Sequence, residues 1–160
     1  MPPQKKTKKT AKRQKRRKVQ GNIAENLVKK DLKSYLPAHY SYSINRNVGI
    51  DIYAKDGQTL NIEVKSAKQK ILQKKKNGYR QRVGTFQLKP DDYIHSDFFG
   101  FVIKEVDEKA KWNGKTKIHY VDSRKIEEYV RRKGKLGKPI KISIHQLKEI
   151  PKMRMNSRRW

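Results

Sequence analysis

A chain of 160 residues is long enough for one compact domain with a real core, and too short for two ordinary ones. Its net charge of +27, from 42 Lys and Arg against 15 Asp and Glu, favours a polyanionic partner bound with salt-sensitive affinity. Without cysteine there is no disulfide, thiolate metal site or cysteine nucleophile. With no apolar run near the roughly 20 residues that span a bilayer, and no apolar signal core, an intracellular location is expected: cytoplasm or nucleoid, or nucleus in a eukaryote.

Residues 1–19 hold ten Lys or Arg and no acid. Such a segment buries too little surface to offset its ordering entropy, so a disordered basic arm is expected there. Residues 20–150 are expected to form the folded domain, and 151–160 a basic C-terminal tail. Without its arm the chain still carries 32 basic residues against 15 acidic ones, so the body is basic in its own right.

Gly21-Asn22 opens a predicted helix with Ala24, Val28, Leu32, Tyr35 and Leu36 on one face, ended by Pro37. On a helical wheel those residues span an arc from about 100° to about 220°, and Glu25 falls at about 200°, inside it. Two accounts of that acid stand side by side. Asn22 can be an N-cap with Glu25 closing a capping box, or a group on the buried side can require a carboxylate.

Tyr40 to Arg46 reads as a first strand. Next come Ile50 to Lys55 and Thr59 to Ser66, joined around Asp56-Gly57. Asp51, Glu63 and Lys65 alternate with apolar residues on these two strands. An Asp and a Glu a few ångströms apart can hold a divalent ion, and a neighbouring Lys can steer a water or stabilise negative charge. A shared face requires the right hairpin parity. A two-residue loop would put Asp51 opposite Ile62, on the wrong face. A three-residue loop of Lys55-Asp56-Gly57, with Gly57 left-handed, pairs Asp51 with Asn61 and puts Asp51, Glu63 and Lys65 on one face.

Residues 67–82 hold seven Lys or Arg and no acid around the turn signal Asn77-Gly78, which reads as a protruding basic hairpin. Lys68, Lys74, Lys75, Lys76, Arg80 and Arg82 are candidate nucleic-acid contacts. Arg46 can clamp a phosphate and Gln87 can contact the scissile one, or both can be solvated surface residues. Tyr79 and Trp112 can stack on bases or belong to the core. Asp91-Asp92 after Pro90 read as a helix start rather than as metal ligands, and Asp97 as structural. Phe98 to Val106 is a predicted central strand, and Asn113-Gly114 a turn into a strand from Lys117 to Val121. Asp122 or Ser123 caps a helix through about Arg132. A Gly- and Lys-rich linker then leads to a strand at 140–144 and a short helix near 146–150.

The segments Gly21-Asn22-Ile23-Ala24-Glu25, Gly49-Ile50-Asp51-Ile52 and Ile62-Glu63-Val64-Lys65-Ser66-Ala67-Lys68, in this order, resemble the PD-(D/E)xK nuclease superfamily. Within it the chain looks most similar to archaeal Holliday-junction resolvases and intron-encoded homing endonucleases. The resemblance covers roughly residues 20–130; Ile50 stands where the superfamily has its proline. It implies an α/β, restriction-endonuclease-like αβββαβ core with a mixed sheet flanked by helices. It also implies a metal-dependent DNA endonuclease that resolves junctions or cuts specific sites, leaving a 5′-phosphate and a 3′-hydroxyl, and acting as a homodimer. By that resemblance Asp51 and Glu63 bind Mg²⁺ or Mn²⁺ with the Val64 carbonyl as a further ligand. Lys65 orients the attacking water, and Glu25 contacts a metal-bound water or a second metal. The alternative is a non-catalytic nucleic-acid-binding protein of the same fold, binding RNA as a ribonucleoprotein component.

Overall fold

The computed structural model describes residues 8–44 and 49–157. The chain folds as α1 (Lys8–Leu32), β1 (Ser41–Ile44), β2 (Ile52–Asp56), β3 (Gln58–Lys68), β4 (Lys70–Lys75), β5 (Gly78–Val83) and β6 (Thr85–Leu88). There follow α2 (Pro90–His95), β7 (Phe98–Val106), β8 (Trp112–Asp122), α3 (Ser123–Arg132), β9 (Ile140–Ser143) and α4 (Ile144–Leu147). It is a mixed α/β fold. A five-stranded sheet has the order β1-β2-β3-β7-β8, antiparallel throughout except for the parallel pair β3 and β7.

Strand alternation sorts the core into two layers. Ile52, Ala54, Ile62, Val64, Phe98 and Val102 face one side, where Ala24, Val28 and Leu32 of α1 cover them. Phe99, Phe101, Ile103 and Val121 face the other, under Tyr93 of α2, Ile126, Tyr129 and Val130 of α3, and Phe86, Leu88 and Ile142 of the β6–β9 ribbon. The run Phe98–Ile103 is buried on both faces, as a continuous apolar strand between two covered layers should be.

Helix α1 starts well before Gly21-Asn22. The described part of the expected disordered arm, residues 8–19, forms its first half, and no capping box closes at Asn22 because that residue lies inside the helix. Lys, Arg, Gln and Ala are good helix formers, and extending a helix anchored by tertiary packing needs no new nucleus. The low burial of this segment therefore does not prevent its ordering.

The β2–β3 hairpin is tighter than a three-residue loop. Asp56 pairs with Gln58, leaving Gly57 alone at the turn with φ +68°. Ile52 therefore pairs with Ile62, where a three-residue loop would have set it opposite Leu60, and the register moves by two residues from the one expected. A shift of two preserves the face, so the parity requirement still holds. The β7–β8 turn also falls earlier than Asn113-Gly114. Asp107 Oδ1 accepts from the Lys109 and Lys111 amides at 2.9 Å each and closes the turn there. The expected hairpin in 67–82 is present as β4 and β5, and α2 begins at Pro90 as expected.

Candidate functional site

On β3 the inward and outward positions divide cleanly. Ile62 and Val64 turn toward α1, so Glu63 and Lys65 turn toward α2. Asp51 lies just before β2. Its amide donates to the Ile62 carbonyl at 2.9 Å, while its Oδ2 accepts from the Val64 amide at 2.7 Å. The side chain thus continues a ladder that the backbone is leaving, and its carboxylate is held beside Glu63.

Gly49 sets that placement. With φ +73°, it lies so close to α2 that a Cβ would stand 2.2 Å from the Asp91 carbonyl oxygen. The segment leading into Asp51 is thereby pressed against the start of α2. There Asp92 is buried, its Oδ2 accepting from the Lys89 amide at 2.7 Å. The Lys65 ammonium bridges the two elements, 3.2 Å from Glu63 Oε1 and 3.0 Å from Asp92 Oδ2.

Two carboxylates thus flank one ammonium in a largely dry place, with the Asp51 carboxylate beside Glu63. Glu63 is only 5% exposed, and its Oε2 has no hydrogen-bond partner among the described residues. Burial, reinforced by the Asp51 charge, pushes the Glu63 carboxyl up to about 9. The Asp51 carboxyl is likewise raised by burial, against the opposing pull of the Val64 amide and Lys65. Burial acts to lower Lys65, but Glu63 and Asp92 outweigh it and raise the ammonium above its ordinary range.

An orphaned carboxylate oxygen beside a second carboxylate is a donor set suited to a hard cation. The fit has a limit: among the described residues no group of three or more His, Asp or Glu is arranged to hold a metal ion. Mg²⁺ is commonly held by one or two carboxylates with waters and substrate phosphates completing its shell, so the Asp51–Glu63 pair fits that ion rather than an all-protein cage.

The other expected residues fall elsewhere. Glu25 is partly exposed on α1, whose packing residues meet the Ile62 and Val64 face of β3, away from Glu63 and Lys65. Lys74, Lys75, Lys76, Arg80 and Arg82 are exposed on the β4–β5 hairpin, Lys68 is exposed at the end of β3, and Gln87 is exposed on β6. Tyr79 is 71% exposed on that hairpin and so is not core. Arg46 lies outside the described residues. Asp97 is structural: its Oδ2 accepts from the Asn61 amide at 2.8 Å and its amide donates to the Asn61 carbonyl at 2.7 Å. Asp92 is the site residue that sequence reasoning passes over; the helix start expected there is real, and the same carboxylate also holds Lys65. No described helix is long and apolar enough to cross a membrane. Neither family models, nor characterised proteins, nor solved structures gave a significant match to the chain.

Proposed function

We propose that the chain is a metal-dependent endonuclease that hydrolyses phosphodiester bonds in DNA. The observation that carries this reading is the convergence of Asp51, Glu63 and Lys65, with the orphaned Glu63 Oε2 among them, on a protein of net charge +27. Support for the restriction-endonuclease-like assignment comes from the order α1-β1-β2-β3, then α2 and β7 after the inserted strands β4, β5 and β6, and from the parallel pairing of β3 with β7.

In this reading Asp51 and Glu63 hold Mg²⁺ or Mn²⁺, with the Val64 carbonyl as a further ligand. The bound cation supplies Lewis-acid neutralisation of the phosphate and a water of lowered pKa. Lys65 stays protonated, placed by Glu63 and Asp92 to orient the attacking water and to stabilise charge on the non-bridging oxygens. Asp92 takes the place that the resemblance gave to Glu25 as the additional acid. The exposed cations of the β4–β5 hairpin hold the phosphate backbone. A homodimer belongs to the same proposal through the resemblance alone.

A second reading, a nucleic-acid-binding protein that does not cut, is favoured by the lack of a three-ligand group among the described residues. One assay separates the two. Supercoiled plasmid, a synthetic four-way junction and RNA are each incubated with the protein in Mg²⁺ or EDTA. Cleavage that requires metal and is lost in Glu63→Gln and Lys65→Ala, with binding retained, is the expected result. Tight, salt-sensitive binding without cleavage in Mg²⁺ or Mn²⁺ overturns the hydrolytic reading.

A further inference from the structure

A groove of about 790 Å³ opens on the sheet face away from Glu63, between the first half of α1 and the ends of β3 and β7. Its described lining is Lys12, Lys15, Arg16 and Val19 of α1 with Ser66, Ala67 and Lys68 of β3 and Lys104 of β7. Five of these are cations and none is an acid.

The arrangement works against the fold's own stability. Lys12, Lys15 and Arg16 sit at i, i+3 and i+4, where like charges repel along a helix. Lys68 and Lys104 are direct neighbours in the parallel β3–β7 register, where like charges also destabilise. Lys104 is 4% exposed, an unusual burial for a lysine, with its ammonium 5.6 Å from the centre of the Trp112 ring. Burial, and then the Lys68 charge, lowers the Lys104 ammonium from its ordinary value. Positive charge gathered on two facing elements at such cost is relieved by a bound anion, and an open groove with several spaced cations suits a chain of phosphates better than a single one.

We propose that this groove binds the phosphodiester backbone of a nucleic acid strand, separately from the carboxylate site on the other face of the sheet. It rests on the nucleic-acid half of the proposed function and not on the hydrolytic half. The strand held here is a second contact, positioned behind the sheet while Asp51, Glu63 and Lys65 face the opposite way.

The test uses the full chain and 20-nucleotide labelled probes of single-stranded DNA, duplex DNA and RNA, with binding read by fluorescence anisotropy in EDTA. The variant Lys12→Gln/Lys15→Gln/Arg16→Gln alters exposed helix positions. Lys133→Gln/Lys135→Gln/Lys138→Gln makes the same change in net charge on the exposed segment around the end of α3. The groove variant should weaken binding by about tenfold or more and lower the salt slope by roughly 3, while the control stays within about twofold. The probe that loses most identifies the strand the groove takes. Lys104→Met, which keeps the buried stem and removes the repelling charge, should weaken binding in the same direction while melting no lower than the wild type. Equal losses in the groove and control triples, or a wild-type chain that binds none of the probes, overturn the proposal. Cleavage in Mg²⁺ is followed in parallel. A wild-type chain that does not cut, with the groove variant still defective in binding, removes the hydrolytic reading and leaves the groove. A cutting wild type with a groove variant that binds like the control does the reverse.

Discussion

The Lys65 ammonium lies 3.0 Å from the Asp92 carboxylate, tying the middle of β3 to the first turn of α2. The same Asp92 oxygen accepts from the Lys89 amide, so one carboxylate starts a helix and fixes a site lysine. Asp92→Asn separates these roles, because the amide oxygen still accepts from Lys89 while the charge facing Lys65 is gone. Metal-dependent cleavage should fall about tenfold to a hundredfold with nucleic-acid affinity unchanged. The Lys65 ammonium should also titrate lower, shifting the alkaline limb of the pH–rate profile down. A rate and profile equal to wild type would show that Asp92 serves the helix alone.

Glu63 gives the metal-free protein a characteristic pH dependence. Its carboxyl titrates at about 9 in the fold against an ordinary 4.5. Between those values the native chain keeps a proton that the unfolded chain has released, so stability falls as pH rises across that window. Asp51 is shifted in the same direction and adds to the slope. Glu63→Gln should therefore flatten the pH dependence and raise the melting temperature at pH 8 by roughly 3 °C or more in EDTA. Mg²⁺ binding at pH 7 should displace the proton, giving a calorimetric heat that depends on the buffer's ionisation enthalpy. No proton release, with a wild-type slope in Glu63→Gln, would contradict the raised carboxyl.

Much of this is legible in the sequence because strand alternation is local. Alternation within one strand puts Glu63 and Lys65 on a common face before any pairing is known, whereas Asp51 joins them only through the hairpin parity; Phe98–Val106 likewise announces a central strand. Register is less accessible, since Gly57 supports more than one turn and only the two-residue difference saves the parity. Asp92 is recognisable as part of a helix start, but its approach to Lys65 depends on how α2 docks, which no local pattern encodes. Lys104 carries a fainter signal, an ionisable residue inside an apolar strand on the parity of Phe98 and Val102. The extent of α1 escapes a reading of composition, which reports what a segment can bury and not what it can be continuous with.

Asp51 has a structural duty that can be separated from its proposed chemical one. Its Oδ2 satisfies the Val64 amide at 2.7 Å. At pH 5, where Glu63 holds its proton and repulsion between the two carboxyls is muted, Asp51→Ala should destabilise by about 1 to 3 kcal/mol by leaving that amide without an acceptor. Asp51→Asn keeps an acceptor and should melt close to wild type while cleaving no better than Asp51→Ala. Denaturation and cleavage measured on the pair decide it; equal stability of the two variants would remove the ladder role.

The docking of α2 against the approach to β2 predicts that two left-handed glycines respond very differently to the same substitution. Gly57 has φ +68° with nothing within 4 Å of a Cβ, so Gly57→Ala meets only conformational strain, about 1 kcal/mol. Gly49 has φ +73° and its Cβ would stand 2.2 Å from backbone at Asp91, which cannot yield as a flexible side chain would. Gly49→Ala should cost on the order of 3 kcal/mol and force the Asp51 segment away from α2. Denaturant titration gives the stabilities, and cleavage under conditions where both variants are folded gives the site effect. Gly57→Ala should cut like wild type, whereas Gly49→Ala should be impaired even while folded, because Asp51 no longer sits beside Glu63 and the Lys65–Asp92 pair. Equal behaviour of the two variants would mean that α2 does not position the site.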